Sequence, residues 1–495
     1  MVGTVTYNLY ATDGYIEMAD GTALYMYGFI GGRDNVPYTY QSSFCTGDGT
    51  GRNCGTSANM LATAIAPTAG PTTMAEAAFA GNAQFPAPII YASVGDVVVI
   101  NLKNLGVAAN PNAPNDPHSI HLHGLDVDAA NDGVPETSVG AVPANLCDDS
   151  STADPTTSCT TPAPGAGNVI VYMFTPMNPG TYMYHCHQEA DIHVNMGMYG
   201  ALVVYNPTDP AALTGPGMAA GGNLWGFQYD KDYVMLLSEV DIRGHADEEG
   251  TYQSGGLVTP NSWDPDPYNW ALYQPQYWFI NGLSFPQTIH AGFSSGYTFA
   301  DWLVAHPGYD PLIAGSVSIP NPYWMSPGQK VLIRVINMGF ETQPMHMHGY
   351  HGKILGSDQR AWEFANYPKS KINKAPQPFG RGMEKNTLTI GSGETYEWLV
   401  DFGKQSFQSI YPAGTESCYD PDTNLPLVNE AGCAPIPEGG VLGNPATYIG
   451  GPVVTGAVGI PGTSQLFPFH NHDDYKATNN GVYPGGMFTM LVPLP

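Results

Sequence analysis

Basic residues are scarce in this chain of 495 residues: 16 Lys and Arg stand against 43 Asp and Glu, for a formal net charge of −27. So acidic a chain repels nucleic acid and anionic membranes and attracts cations, which argues against nucleic-acid binding and leaves solubility as the plain purpose of the charge. Long apolar runs are missing as well. No stretch of about eighteen apolar residues occurs, so no membrane span is expected. The opening MVGTVTYNLYATDGYIEMADGT lacks the basic-then-apolar order of a secretory signal, so an exported protein would have had its signal removed or left out.

Cysteine is sparse, and its count of 7 is odd. Six fall into locally spaced couples, Cys45 with Cys54, Cys147 with Cys159 and Cys418 with Cys433, in Gly-, Pro-, Asp- or Thr-rich stretches that suit disulfides in an oxidising compartment. Cys186 is left over, between two histidines, where a thiolate serves a metal better than a bridge.

What abounds is glycine and proline, 59 and 44, in a chain that is 43% hydrophobic. Short strands joined by turns are the natural reading, and the fold class is all-β. The pattern also repeats. ASVGDVVVINLKNLG, HSIHLHGLD, NVIVYMFTPMNPGTYMYHCH and GMYGALVVYNP are followed later by MSPGQKVLIRVINMG, QPMHMHGYH, NTLTIGSGETYEWLVDFG, FPFHNHDD and GGMFTMLVPLP. Two homologous Greek-key β-sandwiches with long loop insertions explain this better than one large fold. The expected boundaries are a first domain over 1–208, a Pro/Gly/Ala linker over 209–227 and a second domain over 228–495, with loops around 241–275 and 405–465.

Of 14 histidines, eight form His-x-His pairs: His121/His123, His185/His187, His346/His348 and His470/His472. Chance placement would give about 0.4 such pairs, and these fall at matching points of the repeat. Residues two apart on a strand share a face, so each pair presents two imidazoles together while the middle residue turns the other way. Imidazole suits copper, zinc, iron and nickel alike, and a lone pair of this kind is more often ordinary polarity. Cys186 narrows the choice. It points into its own sandwich, where it can meet His118, His193 and Met198: two imidazoles, a thiolate and a thioether, the ligand set of a blue-copper site.

With HSIHLHG, YHCHQEADIHVNMGM, QPMHMHGYH and FHNHDD in place, the chain resembles the multicopper oxidases, laccase-like enzymes built from cupredoxin sandwiches. The resemblance implies four coppers per chain. Type 1 copper would take His118, Cys186, His193 and Met198, with Met196 as the alternative axial ligand. Type 2 would take His121 and His346, and the type 3 pair His123, His185, His187, His348, His470 and His472. It also implies one-electron oxidation of a phenol, an aromatic amine or a metal ion such as Cu(I), Fe(II) or Mn(II), coupled to reduction of O2 to water.

Where His118 and Cys186 stand in the first repeat, the second has Gln343 and Asn471, so one type 1 site is expected, in the first domain. This resembles the two-domain branch of the family, which implies a homotrimer with clusters shared between subunits and an extracytoplasmic location. Asp132 of NDGVPE is the first candidate for proton relay and Asp473 the second. The resemblance places electron entry at the edge of His193, with Glu189 and Asp191 close by in sequence. Met173, Met177, Met183 and Met196 invite a cuprous-ion reading, although methionine is also an ordinary core filler. A copper nitrite reductase and a non-enzymatic extracellular copper-binding protein are the competing readings; the extra histidines favour the oxidase.

Overall fold

The computed structural model describes residues 3–46, 53–69, 72–143, 168–216, 221–252, 268–285, 287–290, 323–325, 329–362, 383–401, 418–419, 426–427 and 467–493. These form two cupredoxin-type β-sandwiches. In the first, one sheet runs Ala23–Arg33, Thr4–Glu17, Val97–Asn104, Val169–Phe174, and the facing sheet runs Ile90–Ser93, Tyr199–Tyr205, Gly180–His185, His121–His123.

The second sandwich repeats the plan. Lys231–Val240 pairs in parallel with Lys330–Asn337, as Thr4–Glu17 does with Val97–Asn104. Lys330–Asn337 then pairs antiparallel with Thr395–Asp401. The facing sheet joins Tyr323–Met325, Phe488–Pro493, Phe467–Asn471, Gln343–Met347 and Thr387–Ile390. The repeat read from the sequence is therefore a repeat of register: His121 lies opposite His185, and His346 lies opposite His470.

A period of two sorts the side chains of Tyr199–Tyr205. Leu202 and Val204 enter the core of the first sandwich, with Leu102, Leu122 and Cys186. Tyr199, Ala201, Val203 and Tyr205 face the second sandwich and join a cluster with Tyr233, Met235, Leu237 and Ile333. The strand is apolar throughout because both faces are buried.

The linker stretch carries a short helix, Ala211–Thr214, and a small hairpin of Gly222–Leu224 with Phe227–Tyr229. The region expected as loop from 241 contains a helix, Ile242–Glu249. Asp241 caps it by accepting from the Arg243 N–H, and Gly250 closes it at φ 76°. Its polar sequence hid it, because it is stabilised by contacts with the first sandwich rather than by an apolar stripe. His245 Nδ1 lies 2.7 Å from Tyr25 O, and the Tyr27 and Tyr15 hydroxyls donate to Glu248 and Glu249 at 3.0 and 2.9 Å. Cys45 stands opposite Cys54 across the strand pair Pro37–Thr46 and Asn53–Thr63. Cys147, Cys159 and Cys433 lie outside the described residues. Among the described residues, no helix is long and apolar enough to cross a membrane.

Candidate metal centre

Alternation along the strands builds the site. Leu122, Cys186, Met347 and Asn471 are fully buried, while the histidines on either side of each turn the opposite way. In the first sandwich the rings of His121, His123, His185 and His187 gather, with centroids 5.0 Å apart for His121/His185 and 5.2 Å for His121/His187. In the second, His346 lies 4.8 Å from His348, 5.1 Å from His472 and 5.8 Å from His470. Among the described residues, no ring pairing joins one quartet to the other.

Several rings are oriented from behind, as metal-ligating imidazoles usually are. His121 Nδ1 meets Asp132 O at 2.9 Å and Asp132 Oδ1 at 3.1 Å. Gly133 makes this possible: its φ is +71°, and a Cβ there would lie 2.1 Å from Ile120 O. His185 Nδ1 meets Cys186 O at 2.9 Å, and His470 Nδ1 meets Asn471 O at 2.8 Å. His346 Nδ1 meets Thr387 Oγ1 at 2.8 Å. Each of these contacts leaves Nε2 to face its quartet.

Burial, aided by neighbouring imidazoles, lowers the pKa of His123, His346 and His348, and pushes His185 down to about 3. Neutral imidazoles with free Nε2 atoms are what a metal requires.

Behind the first quartet, Cys186 Sγ lies 3.4 Å from His193 Nδ1 and 4.0 Å from His118 Nδ1, all three side chains being buried. The Ser119 N–H donates to Sγ at 3.4 Å. Met198 is drawn against them by the backbone: its N–H donates to His193 O at 3.0 Å, and its carbonyl accepts the Cys186 N–H at 2.9 Å. Met196 is equally buried. A buried thiol between two imidazole Nδ1 atoms, with two thioethers in the same core, fits copper better than zinc or iron.

His193 is not exposed at its edge: its relative exposure is 0%. Beyond its buried Nε2, which accepts or donates no hydrogen bond, stand Asp116 and Glu189, each 3.9 Å away. Burial opposes protonation of His193, yet Cys186 and Asp116 outweigh it and hold the pKa near 10. Sequence reasoning missed Asp116, although it stands just before HSIHLHG; only the fold brings it to His193. Of the four methionines considered for cuprous ion, Met173 and Met177 are exposed, whereas Met183 and Met196 sit in different cores.

A multicopper oxidase family model matches residues 58–208 and 314–403. Over those two stretches the chain is similar to the multicopper oxidase family. Among its relatives, the multicopper oxidase MmcO of Mycobacterium tuberculosis is 25% identical over 318 residues, covering 64% of this chain and 46% of that protein. An L-ascorbate oxidase of Cucurbita pepo var. melopepo is 31% identical over 162 residues, 32% of this chain and 21% of its own length. The matches thus span less than half of these curated relatives. The blue copper oxidase from Nitrosomonas europaea aligns over 99% of this chain and 85% of its own, with a TM-score of 0.48 and 17% identity.

Proposed function

We propose that the chain is a laccase-like oxidase with its type 1 site in the first sandwich and a trinuclear cluster shared between subunits. The observation that carries this reading is the buried Cys186, within 4.0 Å of His118 Nδ1 and 3.4 Å of His193 Nδ1, and bonded through the chain to two members of the first imidazole quartet. Four coppers would supply one-electron acceptance at the thiolate site and four-electron reduction of dioxygen to water at the cluster. His118, Cys186, His193 and Met198 would hold type 1 copper, with Met196 the alternative axial ligand. His121 and His346 would hold type 2, and the other six paired histidines type 3.

The backbone on either side of Cys186 gives electrons a covalent route to His185 and His187. Asp116 and Glu189 set a negative field beyond His193 Nε2, which attracts a reducing metal cation and accepts from a phenol hydroxyl. Asp132, beside His121, is placed to pass protons. Asp473 shares Lys476 with Glu341, each 3.4 Å from Nζ, which makes it the weaker relay.

Each quartet has half of the paired imidazoles, and in this reading a complete cluster would form where the first sandwich of one subunit meets the second of another. A ring of three subunits meets that need. The domains we propose are 1–208 and 228–495, with a linker over 209–227. The cross-strand register of Cys45 and Cys54 supports a disulfide, and with it an extracytoplasmic, periplasmic or secreted location.

Copper analysis combined with oxygen-uptake and nitrite-reduction assays tests this on wild-type protein and on Cys186→Ser. Expected are four coppers per chain, oxygen consumption with a phenol or metal donor, and loss of blue colour and turnover in the variant with cluster copper retained. Two coppers with nitrite turnover, or a stable monomer with full copper, would refute the reading.

A further inference from the structure

The second sandwich keeps the outline of a type 1 site with every ligand but one exchanged. The Asn471 N–H donates to Met487 O, and the Met487 N–H donates to Lys476 O, both at 2.9 Å. Cys186, Met198 and His193 make the same two bonds in the first sandwich. Asn471, Lys476 and Met487 therefore stand where Cys186, His193 and Met198 stand, and Gln343 precedes His346 as His118 precedes His121.

The exchanged residues are connected. The Asp473 N–H donates to Asn471 Oδ1 at 2.9 Å, Asn471 Nδ2 donates to Gln343 Oε1 at 2.7 Å, and Gln343 Nε2 donates to Glu239 Oε2 at 2.7 Å. Asn471 Nδ2 also lies 3.3 Å from Met487 Sδ. Glu239 Oε1 accepts the N–H groups of Phe340 and Glu341 at 2.5 and 2.9 Å. Gln343 and Asn471 are 0% exposed and Glu239 2%. The chain of donors has one direction only, because it starts at a backbone N–H and ends on a carboxylate. Lys476 is drawn aside, with Nζ donating to Thr342 O at 2.6 Å.

We propose that Glu239, Gln343 and Asn471 are positioning residues, a metal-free clasp that holds the His470-x-His472 pair as a metal bound to Cys186 would hold His185-x-His187. Asn471 supplies the carbonyl that orients His470, so fixing Asn471 fixes that ring. The second quartet is then formed before any metal arrives, and the abandoned pocket offers copper no free ligand. The role in copper binding rests on the oxidase reading; the clasp itself does not.

Two variants test it. Gln343→Met keeps volume and removes both side-chain bonds. Glu239→Gln also keeps volume but puts an NH2 where the carboxylate accepted, so a donor meets either Gln343 Nε2 or the Phe340 and Glu341 N–H groups. In metal-free protein, amide hydrogen exchange at 469–473 should quicken about ten-fold or more in both, while the strand Lys330–Asn337 is unchanged. In copper-loaded protein, cluster copper should fall while the blue absorption stays. Equal quickening in the reference strand, or none at 469–473, overturns the clasp. A wild-type protein that binds no cluster copper, with the exchange result intact, overturns the oxidase reading instead.

Discussion

Replacing Arg334 by Met should destabilise the protein by about 3–5 kcal/mol, the usual cost of leaving a buried charge without its partner. The guanidinium is 1% exposed and its Nε donates to Asp232 Oδ2 at 2.6 Å. Its other nitrogens reach Thr181 Oγ1 and Tyr229 OH, each at 3.4 Å, and its plane lies 5.1 Å from the Tyr205 ring. Methionine fills much of the same volume, so the loss comes from Asp232, which is 0% exposed and, among the described residues, would keep the Tyr205 hydroxyl at 2.8 Å as its hydrogen-bond partner.

Against a total stability of about 5–15 kcal/mol, such a loss is easily read in urea unfolding. The double variant Arg334→Met/Asp232→Leu should recover most of it, because the cost belongs to the stranded charge and not to missing attraction. A single variant within about 1 kcal/mol of wild type, or a double variant as unstable as the single, would refute the reasoning. The pair also bears on the quartet: Thr181, which Arg334 reaches, is the second residue of the strand that ends at His185, and its N–H donates to Glu397 Oε1 at 2.9 Å.

Two further outcomes are expected. Burial pushes His245 down to about 4 from an ordinary 6.5, so the folded protein stays neutral there while the unfolded chain takes up a proton. Its contribution is complete above 6.5 and is lost as pH falls from 6.5 to 4, by about 3 kcal/mol at about 1.4 kcal/mol per pH unit. Urea unfolding across that range should show a shallower pH dependence for His245→Gln; identical slopes would count against it. Asp132→Asn should slow oxygen reduction by about 10²-fold or more while copper content holds, since His121 Nδ1 keeps the Asp132 backbone carbonyl. Oxygen uptake measured against copper content checks this, and an unchanged rate would remove Asp132 from the proton path.

The fold and the gathering of the paired histidines were legible because both follow from period two and from an internal repeat. His-x-His on a strand fixes its own geometry, so quoting HLH, HCH, HMH and HNH already placed eight rings. Residues that act across the fold were not legible. Asp116 and Tyr27 meet His193 only through packing, with the Tyr27 ring 5.7 Å from it. The helix Ile242–Glu249 has no apolar period to announce it. Gln343 and Asn471 were visible as missing ligands, but that they bond to each other and to Glu239 depends on a carboxylate brought in by a different strand.

The strand Tyr199–Tyr205 begins one residue after Met198 and has no face turned to water. The loop that carries Cys186, His193 and Met198 and the joint between the sandwiches are thus a single piece of backbone. Stiffness at the joint would become stiffness around Cys186, and a metal held there would exchange electrons with little rearrangement of its ligands.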